Sequence, residues 1–308
     1  MRVIVSGATG FIGRALCREL CSDYDLVVLS RDAAKADSIA GGCARVVEWD
    51  ARSTGRWAEY VEGAHAIVNL AGENVASGRW TAPRKDTILQ SRAWAANAVL
   101  DAVIGARNKP AVVIQASAIG YYGSRGDEIL DETATSGTGF LAEVCRRAES
   151  VADKIEAAGV RCAMIRTGVV LGDQAGALPM LMRPFRLYAG GWLGSGRQWF
   201  SWISLVDEVR AIRFLMENRQ LKGAVNLTAP NPVPMKQFCR TLGDVMHRPA
   251  WTAVPGFVVR RLFGEMADEV LLASQRVLPG RLVEAGFQFR HPTVENALRA
   301  IVIGEEVQ

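Results

Sequence analysis

Short β-branched runs alternate along the chain with longer stretches in which apolar residues recur every three or four positions. The runs are R-V-I-V-S, D-L-V-V-L-S, A-R-V-V-E-W, H-A-I-V-N-L, A-V-V-I-Q-A-S and R-C-A-M-I-R-T, at residues 2–6, 25–30, 44–49, 65–70, 111–117 and 161–167. Near-continuous apolar strands separated by helical patterns predict a doubly wound parallel sheet in an α/β fold, covered by helices on both faces. The helical signal after Asp32 is weak, and the one from about Arg84 to Ala106 is long. Beyond Gly168 the pattern loosens into the glycine-rich G-G-W-L-G-S-G-R-Q-W-F at 190–200, then resumes with a helix near 206–217 and a strand near 224–228. From about Ala229 onward short helices and prolines predominate without clear strand alternation. The chain therefore divides into a sheet-forming region at 1–228, which includes the 171–204 loop, and a smaller capping region at 229–308. Ligands of open α/β sheets sit beyond the carboxyl ends of the strands, so loops 71–83, 118–139 and 168–204 are expected to converge on one cleft.

The 308 residues are 49% hydrophobic and 22% charged, enough for a full core. The formal charge of +4 is spread without a basic run, which gives no reason to expect nucleic acid or an anionic membrane as partner. No stretch reaches about 18 uninterrupted apolar residues, and Met1 leads almost directly into the first strand, so a cytoplasmic protein is expected. The six cysteines are far apart except Cys17 and Cys21, which are not in a C-x-x-C arrangement, and they read as reduced, mostly buried thiols. His65, His247 and His291 have no neighbouring ligand at metal-binding spacing, so no metal site is expected.

In V-S-G-A-T-G-F-I-G at 5–13, three glycines follow a strand and open a helix. That context predicts a phosphate-binding turn: Gly7 permits the turn, Gly10 the close approach of a pyrophosphate and Gly13 the packing of helix on strand, with Thr9, Phe11 and Ile12 placed among them. At the end of the second strand, where an NAD-selective site carries an acid, stand Ser30 and Arg31. A guanidinium beside a hydroxyl suits a 2′-phosphate and favours NADP, NADPH over NADH, although Asp32 keeps NAD open. Asp50, closing the third strand, either reaches the adenine amino group or caps the following segment.

G-A-T-G-F-I-G, then N-L-A-G at 69–72 and S-A-I-G-Y-Y-G at 117–123, resembles the extended and atypical short-chain dehydrogenase/reductases. N-L-A-G-E-N at 69–74, Q-S-R at 90–92, R-T-G-V-V-L at 166–171, P-F-R-L at 184–187, G-S-G-R-Q-W-F-S-W-I at 194–203 and S-Q-R-V-L-P-G-R at 274–281 narrow this to the epimerase-family, SulA-like members with a C-terminal extension. The resemblance covers essentially the whole chain. It implies a Rossmann-type fold, bound NADP(H) and a substrate not established for the family. It also implies that Leu70 and Ala71, with Gly72, line the adenine–ribose side, that Arg92 reaches the cofactor, and that Gly168, Val169 and Val170 border the nicotinamide. The chain departs from its relatives at 202–207, reading W-I-S-L-V-D where they read W-I-H-I-D-D.

Most reductases of this superfamily carry a Tyr and a Lys one turn apart on the helix after the fifth strand. Here that helix begins T-G-F-L-A-E-V-C-R-R, which puts Phe140 and Val144, or in the neighbouring register Leu141 and Cys145, at those positions. None transfers a proton in that role. Phe140, Val144, Ala148, Val151 and Ile155 instead make an apolar stripe. Ser117 and Tyr121, at the end of the fifth strand and in its loop, are the catalytic candidates, with Tyr122, Glu143 and Arg146 near them; pocket wall is the alternative role for the tyrosines. Trp192, Trp199 and Trp202, with Arg197 and Gln198, either form a floor for a planar or anionic organic substrate or pack a lid. The reading is an NADP(H)-binding oxidoreductase or epimerase-like enzyme acting on a small organic or nucleotide-linked substrate. A non-catalytic NADP(H) sensor is the alternative that the missing pair favours.

Overall fold

In a computed structural model, which describes residues 1–40 and 42–305, seven strands form one parallel sheet. In chain order these are β1 (Arg2–Ser6), β2 (Asp25–Ser30), β3 (Ala44–Glu48), β4 (Ala66–Asn69), β5 (Val112–Ala118), β6 (Arg161–Thr167) and β7 (Gly223–Leu227). Their spatial order is β7-β6-β5-β4-β1-β2-β3, so the winding reverses between β1 and β4, where such sheets open a crevice. The strands lie within about one residue of the positions read from the β-branched runs.

Alternation along each strand sends neighbours to opposite faces. Val3 and Val5 enter one apolar layer with Leu16 and Leu20 of α1 (Phe11–Leu20) and Ile212 and Leu215 of α7 (Leu205–Glu217). Ile4, between them, enters the other layer with Ala95 and Val99 of α3 (Ala82–Gly105) and Ile155 of α5 (Ala152–Ala157). Buried Gly13, Leu16, Cys17 and Leu20 recur at helical spacing on α1. Thr81 caps α3 by accepting the Arg84 N–H, with Pro83 in the first turn; Ser204 caps α7 by accepting from Asp207. The weakly signalled α2 (Ala33–Ala40) is also present.

Three features differ from the sequence reading. Cys21, at the end of α1, is paired in a disulfide with Cys43, just before β3, so two of the six thiols are not free. Cys17, Cys145, Cys162 and Cys239 are the buried free thiols. The apolar stripe Phe140 to Ile155 is buried throughout but runs over two helices, α4 (Phe140–Glu149) and α5, because the chain turns at Ser150 and Val151. Residues 171–202 share their core with the C-terminal region: Leu171, Leu178, Phe185 and Trp202 pack with Phe238, Leu242 and Leu298.

That second lobe holds α6 (Leu178–Arg186), α8 (Met235–Met246), α9 (Gly256–Phe263), α10 (Gly280–Glu284) and α11 (Val294–Val302). It has strands the sequence did not signal, because they are two to five residues long: Gly190–Leu193 pairs with Ala250–Val254, and Trp199–Phe200 with Val233–Pro234. Leu282 and Phe287 pack back on the first lobe. Residues 306–308 lie outside the described residues. No described helix is long and apolar enough to cross a membrane.

Candidate functional site

Gly7 adopts φ 68°, and a Cβ there would stand 2.7 Å from the Leu70 carbonyl oxygen. A Cβ on Gly13 would stand 2.3 Å from the Gly7 carbonyl oxygen, so only glycine lets α1 approach its own turn. Gly10 is the N-cap of α1 and contributes no side-chain cap, and no acid occupies the first turn. The first amides of α1 thus carry the positive end of the helix dipole with no side chain among the described residues satisfying them, a donor set suited to a diphosphate.

The walls of this cradle are fixed from below. Buried Ser6 donates to Asn69 Oδ1 at 2.5 Å, Asn69 donates to Gln115 Oε1 at 2.9 Å, and the Ala71 N–H donates to Ser6 Oγ at 3.2 Å. The polar ladder ties the ends of β1, β4 and β5 together and sets the height of the 70–73 loop. Arg92 lies under Gly72 and donates through one nitrogen to the carbonyls of Glu73 and Ile88. Burial pushes its pKa down. Its position is that of a prop for the loop, and it does not line the cleft.

The resulting cleft measures about 340 Å³. Of the residues singled out in the sequence, Gly7, Thr9, Gly10, Ser30, Arg31, Asp50, Leu70, Ala71 and Gly72 line it together. Ser30 Oγ accepts the Asp32 N–H at 3.1 Å, and Asp32 accepts the Lys35 N–H at 3.0 Å, which turns the Asp32 carboxylate toward the start of α2. Asp50 accepts N–H groups of Arg52 and Ser53 and the Ser53 hydroxyl, the capping arrangement; the Ser53 N–H leads in holding its carboxyl below the ordinary value. Lys35, Arg52, Trp49 and Trp94 also line the cleft and were not read from sequence. Arg52 lies over the Trp94 ring at 4.2 Å. Their spacing to the glycine turn carries no local signature; only the fold assembles them.

The remaining candidates stand elsewhere. The Phe11 ring packs where Cβ atoms on Gly172 and Gly176 would fall, and Ile12 packs on the apolar layer. The Gly168 N–H donates to Leu227, the Val169 N–H donates to Ser201, and Val169–Leu171 pairs with Trp202–Ser204. Trp202 is completely buried in the second-lobe core, so it is not a substrate-floor residue; its indole meets apolar neighbours. Trp199 donates to Asp127 and lies under Arg276, while Trp192 lies under Lys236. Arg197 is exposed on its turn, its backbone N–H donating to Ser195. Ser204 Oγ, in the 202–207 segment, lies 3.0 Å from His291 Nδ1.

At the end of β5, Ser117 donates to Glu149 at 2.6 Å, and Glu149 receives two further bonds from Arg166, at 3.0 and 2.8 Å. Arg166 also donates to the Tyr122 hydroxyl, which donates to Asn226. Burial pushes Tyr122 up to about 12. Tyr121 stacks on the Arg166 guanidinium and its hydroxyl makes no hydrogen bond among the described residues. Glu208 of α7 is fully buried, accepts the Thr167 hydroxyl at 2.8 Å and has its second oxygen without a partner among the described residues; burial pushes it up to about 8. The sequence signal for this chemistry was present: an arginine inside the apolar run of β6, and an acid on the buried face of α7. Among the described residues no group of acids, histidines and cysteines is arranged to hold a metal.

Residues 3–227 match the NAD dependent epimerase/dehydratase family, and residues 254–301 match a domain of unknown function. The chain is 44% identical over 307 residues to an epimerase family protein SDR39U1 homolog, chloroplastic, of Arabidopsis thaliana, covering 98% of this chain and 87% of that protein. It is 37% identical to the epimerase family protein YfhF of Bacillus subtilis, with 98% of each covered. The crystal structure of human epimerase family protein SDR39U1 (isoform 2) with NADPH superposes with a TM-score of 0.85 at 30% identity, covering 99% of this chain and all of that one. With the glycine cradle, the seven-stranded order and matches along nearly its whole length, the chain belongs to the NAD dependent epimerase/dehydratase family.

Proposed function

We propose that the cleft binds NADPH in preference to NADH and that the protein is an oxidoreductase or epimerase-like enzyme acting on a small organic or nucleotide-linked substrate. The observation that carries the cofactor reading is the juxtaposition, in one cleft, of the uncapped α1 amides with Arg31 and Ser30. The amides suit the diphosphate, and the guanidinium suits a 2′-phosphate. The NADPH present in the human relative's structure supports the same reading. When bound, the nicotinamide supplies hydride chemistry. Leu70 and Ala71 would border the adenine–ribose side, and the Tyr121 hydroxyl, left unengaged beyond β5, is the group of this chain assigned to proton exchange with substrate.

A second reading rests on Ser117. Its hydroxyl is given to the Glu149–Arg166 pair, and Phe140 and Val144 are buried apolar residues where relatives of the superfamily carry proton-transfer groups. A protein that binds NADPH and reports its level would need neither. Fluorescence titration with NADPH and NADH, followed by a screen for NADPH oxidation with carbonyl compounds and nucleotide sugars, separates the readings. Oxidation of NADPH with any of them supports the enzyme; tight binding with no oxidation across the panel supports the sensor; equal affinity for the two cofactors refutes the preference.

A further inference from the structure

Two stretches of the second lobe contain no acid at all: 174–206, between Asp173 and Asp207, and 245–264, between Asp244 and Glu265. They carry six arginines, and the fold joins them, since Gly190–Leu193 of the first pairs in parallel with Ala250–Val254 of the second. Met180, Leu187, Tyr188, Trp251, Phe257 and Leu262, all exposed, lie in these same two stretches. Leu187 is 78% exposed, Trp251 73% and Phe257 72%, so most of each apolar side chain faces water.

Contacts make part of this set continuous. Trp251 donates to the Tyr188 carbonyl at 3.2 Å, and Arg248 lies over the Tyr188 ring at 4.5 Å. Met180, Arg183 and Leu187 follow at spacings of three and four, on one side of α6 and the residue that ends it. Tyr188 holds a left-handed backbone at φ 58°, a conformation unfavourable for a bulky residue, and its ring remains exposed. Arg183, Arg186 and Arg261 take part in no salt bridge among the described residues; Arg260 alone is answered, by Asp268.

We propose that this face docks on an anionic lipid bilayer, with Leu187 and Trp251 entering the interfacial region and Arg183 and Arg186 meeting lipid phosphates. Exposed aromatic and aliphatic groups interleaved with arginines, on stretches that themselves carry no acid, are what an anionic headgroup layer over hydrocarbon accepts. A second copy of the chain is a poor occupant, because a self-complementary contact would set these arginines against one another. Charge read along the chain gave no hint of a membrane partner; the fold brings Arg248 of one stretch onto Tyr188 of the other, which follows Arg186 and Leu187 in the chain. No spanning segment is required.

Co-sedimentation of the full chain with vesicles tests the proposal. The protein is expected to sediment with vesicles of equal phosphatidylcholine and phosphatidylglycerol, to remain in solution with phosphatidylcholine alone, and to be released by salt. Leu187→Ala with Trp251→Ala, and separately Arg183→Glu with Arg186→Glu, are each expected to lower vesicle-bound protein at least about tenfold with melting temperature unchanged. Chain that stays in solution with the anionic vesicles overturns the proposal, as does binding that neither pair of substitutions reduces. A dimer in light scattering that Trp251→Ala dissociates, in a chain that does not sediment with vesicles, assigns the face to self-association and likewise overturns it.

Discussion

The guanidinium carbon of Arg166 lies 3.4 Å from the centroid of the Tyr121 ring. Arg166 is itself held by two bonds to Glu149 and one to Tyr122. The ring of Tyr121 is therefore fixed from beneath by a buried cation while its hydroxyl is left unengaged by the described residues. A stacked cation and an unused phenol make Tyr121 separable from its support by mutation.

Tyr121→Phe keeps the stack and removes the hydroxyl. Once a substrate is found, kcat should fall by roughly 10²-fold with NADPH affinity preserved, the range for one general acid. Steady-state kinetics beside a cofactor titration measure both. Unchanged kcat rejects Tyr121.

Arg31→Ala should remove most of the preference for NADPH over NADH, a loss of about 1.5–3 kcal/mol in NADPH binding, because one charge-assisted contact is deleted. Fluorescence titration of the variant with both cofactors gives the difference directly. A preference that survives intact would move the 2′-phosphate to Lys35 or Arg52, which line the same cleft.

Gly13→Ala places a Cβ 2.3 Å from the Gly7 carbonyl oxygen and 2.7 Å from the Ala8 Cα, both backbone atoms that cannot swing aside. The variant should lose about 1–3 kcal/mol of stability by overpacking and bind NADPH poorly. Denaturant melts and titration check this; a neutral substitution would mean that α1 can tilt away from its turn.

Glu208 supplies a pH dependence. Burial lifts it from 4.5 to about 8, so within that window the folded chain keeps a proton that the unfolded chain has released. The contribution of Glu208 to stability is then fully present below the lower value, falls as pH rises through the window by up to about 1.4 kcal/mol per pH unit, and levels off above the upper value. Glu208→Gln should flatten this slope. Denaturant melts of both proteins across the window test it, and parallel slopes would show that Glu208 is not the group responsible.

Thiol counting addresses Cys21 and Cys43. Denatured without reductant, the protein should titrate the four free thiols, and after reduction all six cysteines. Six thiols before reduction would show the pair to be open in solution.

The parallel sheet was legible because its strands are continuous β-branched runs, and the glycine cradle because Gly7, Gly10 and Gly13 each answer a close backbone approach. Arg31 could be read from its place at the end of β2. The Cys21–Cys43 pair could not, since it joins residues 22 positions apart with no local signature. Trp202 misled for a related reason. A tryptophan in a glycine-rich loop looks like pocket wall until the loop is seen to share a core with Phe238 and Leu298. The support of the site was half legible: Arg166 is an anomaly within an apolar strand, but its partner Glu149 stands 17 residues away on α4.

The carboxylate of Glu269 accepts the N–H groups of both Phe140 and Leu141, each at 2.7 Å, at the start of α4, and Gly139 leaves no room for a Cβ beside it. Lys85 of α3 in turn holds Glu265 a few residues earlier. The C-terminal extension thus supplies the missing cap for a helix of the first lobe. Deleting it would strip α4 of its anchor and leave Leu171, Leu178 and Phe185 without their packing partners. The extension is a keystone of the whole molecule, so the chain is expected to melt as one cooperative body, its two lobes being parts that could not be traded independently.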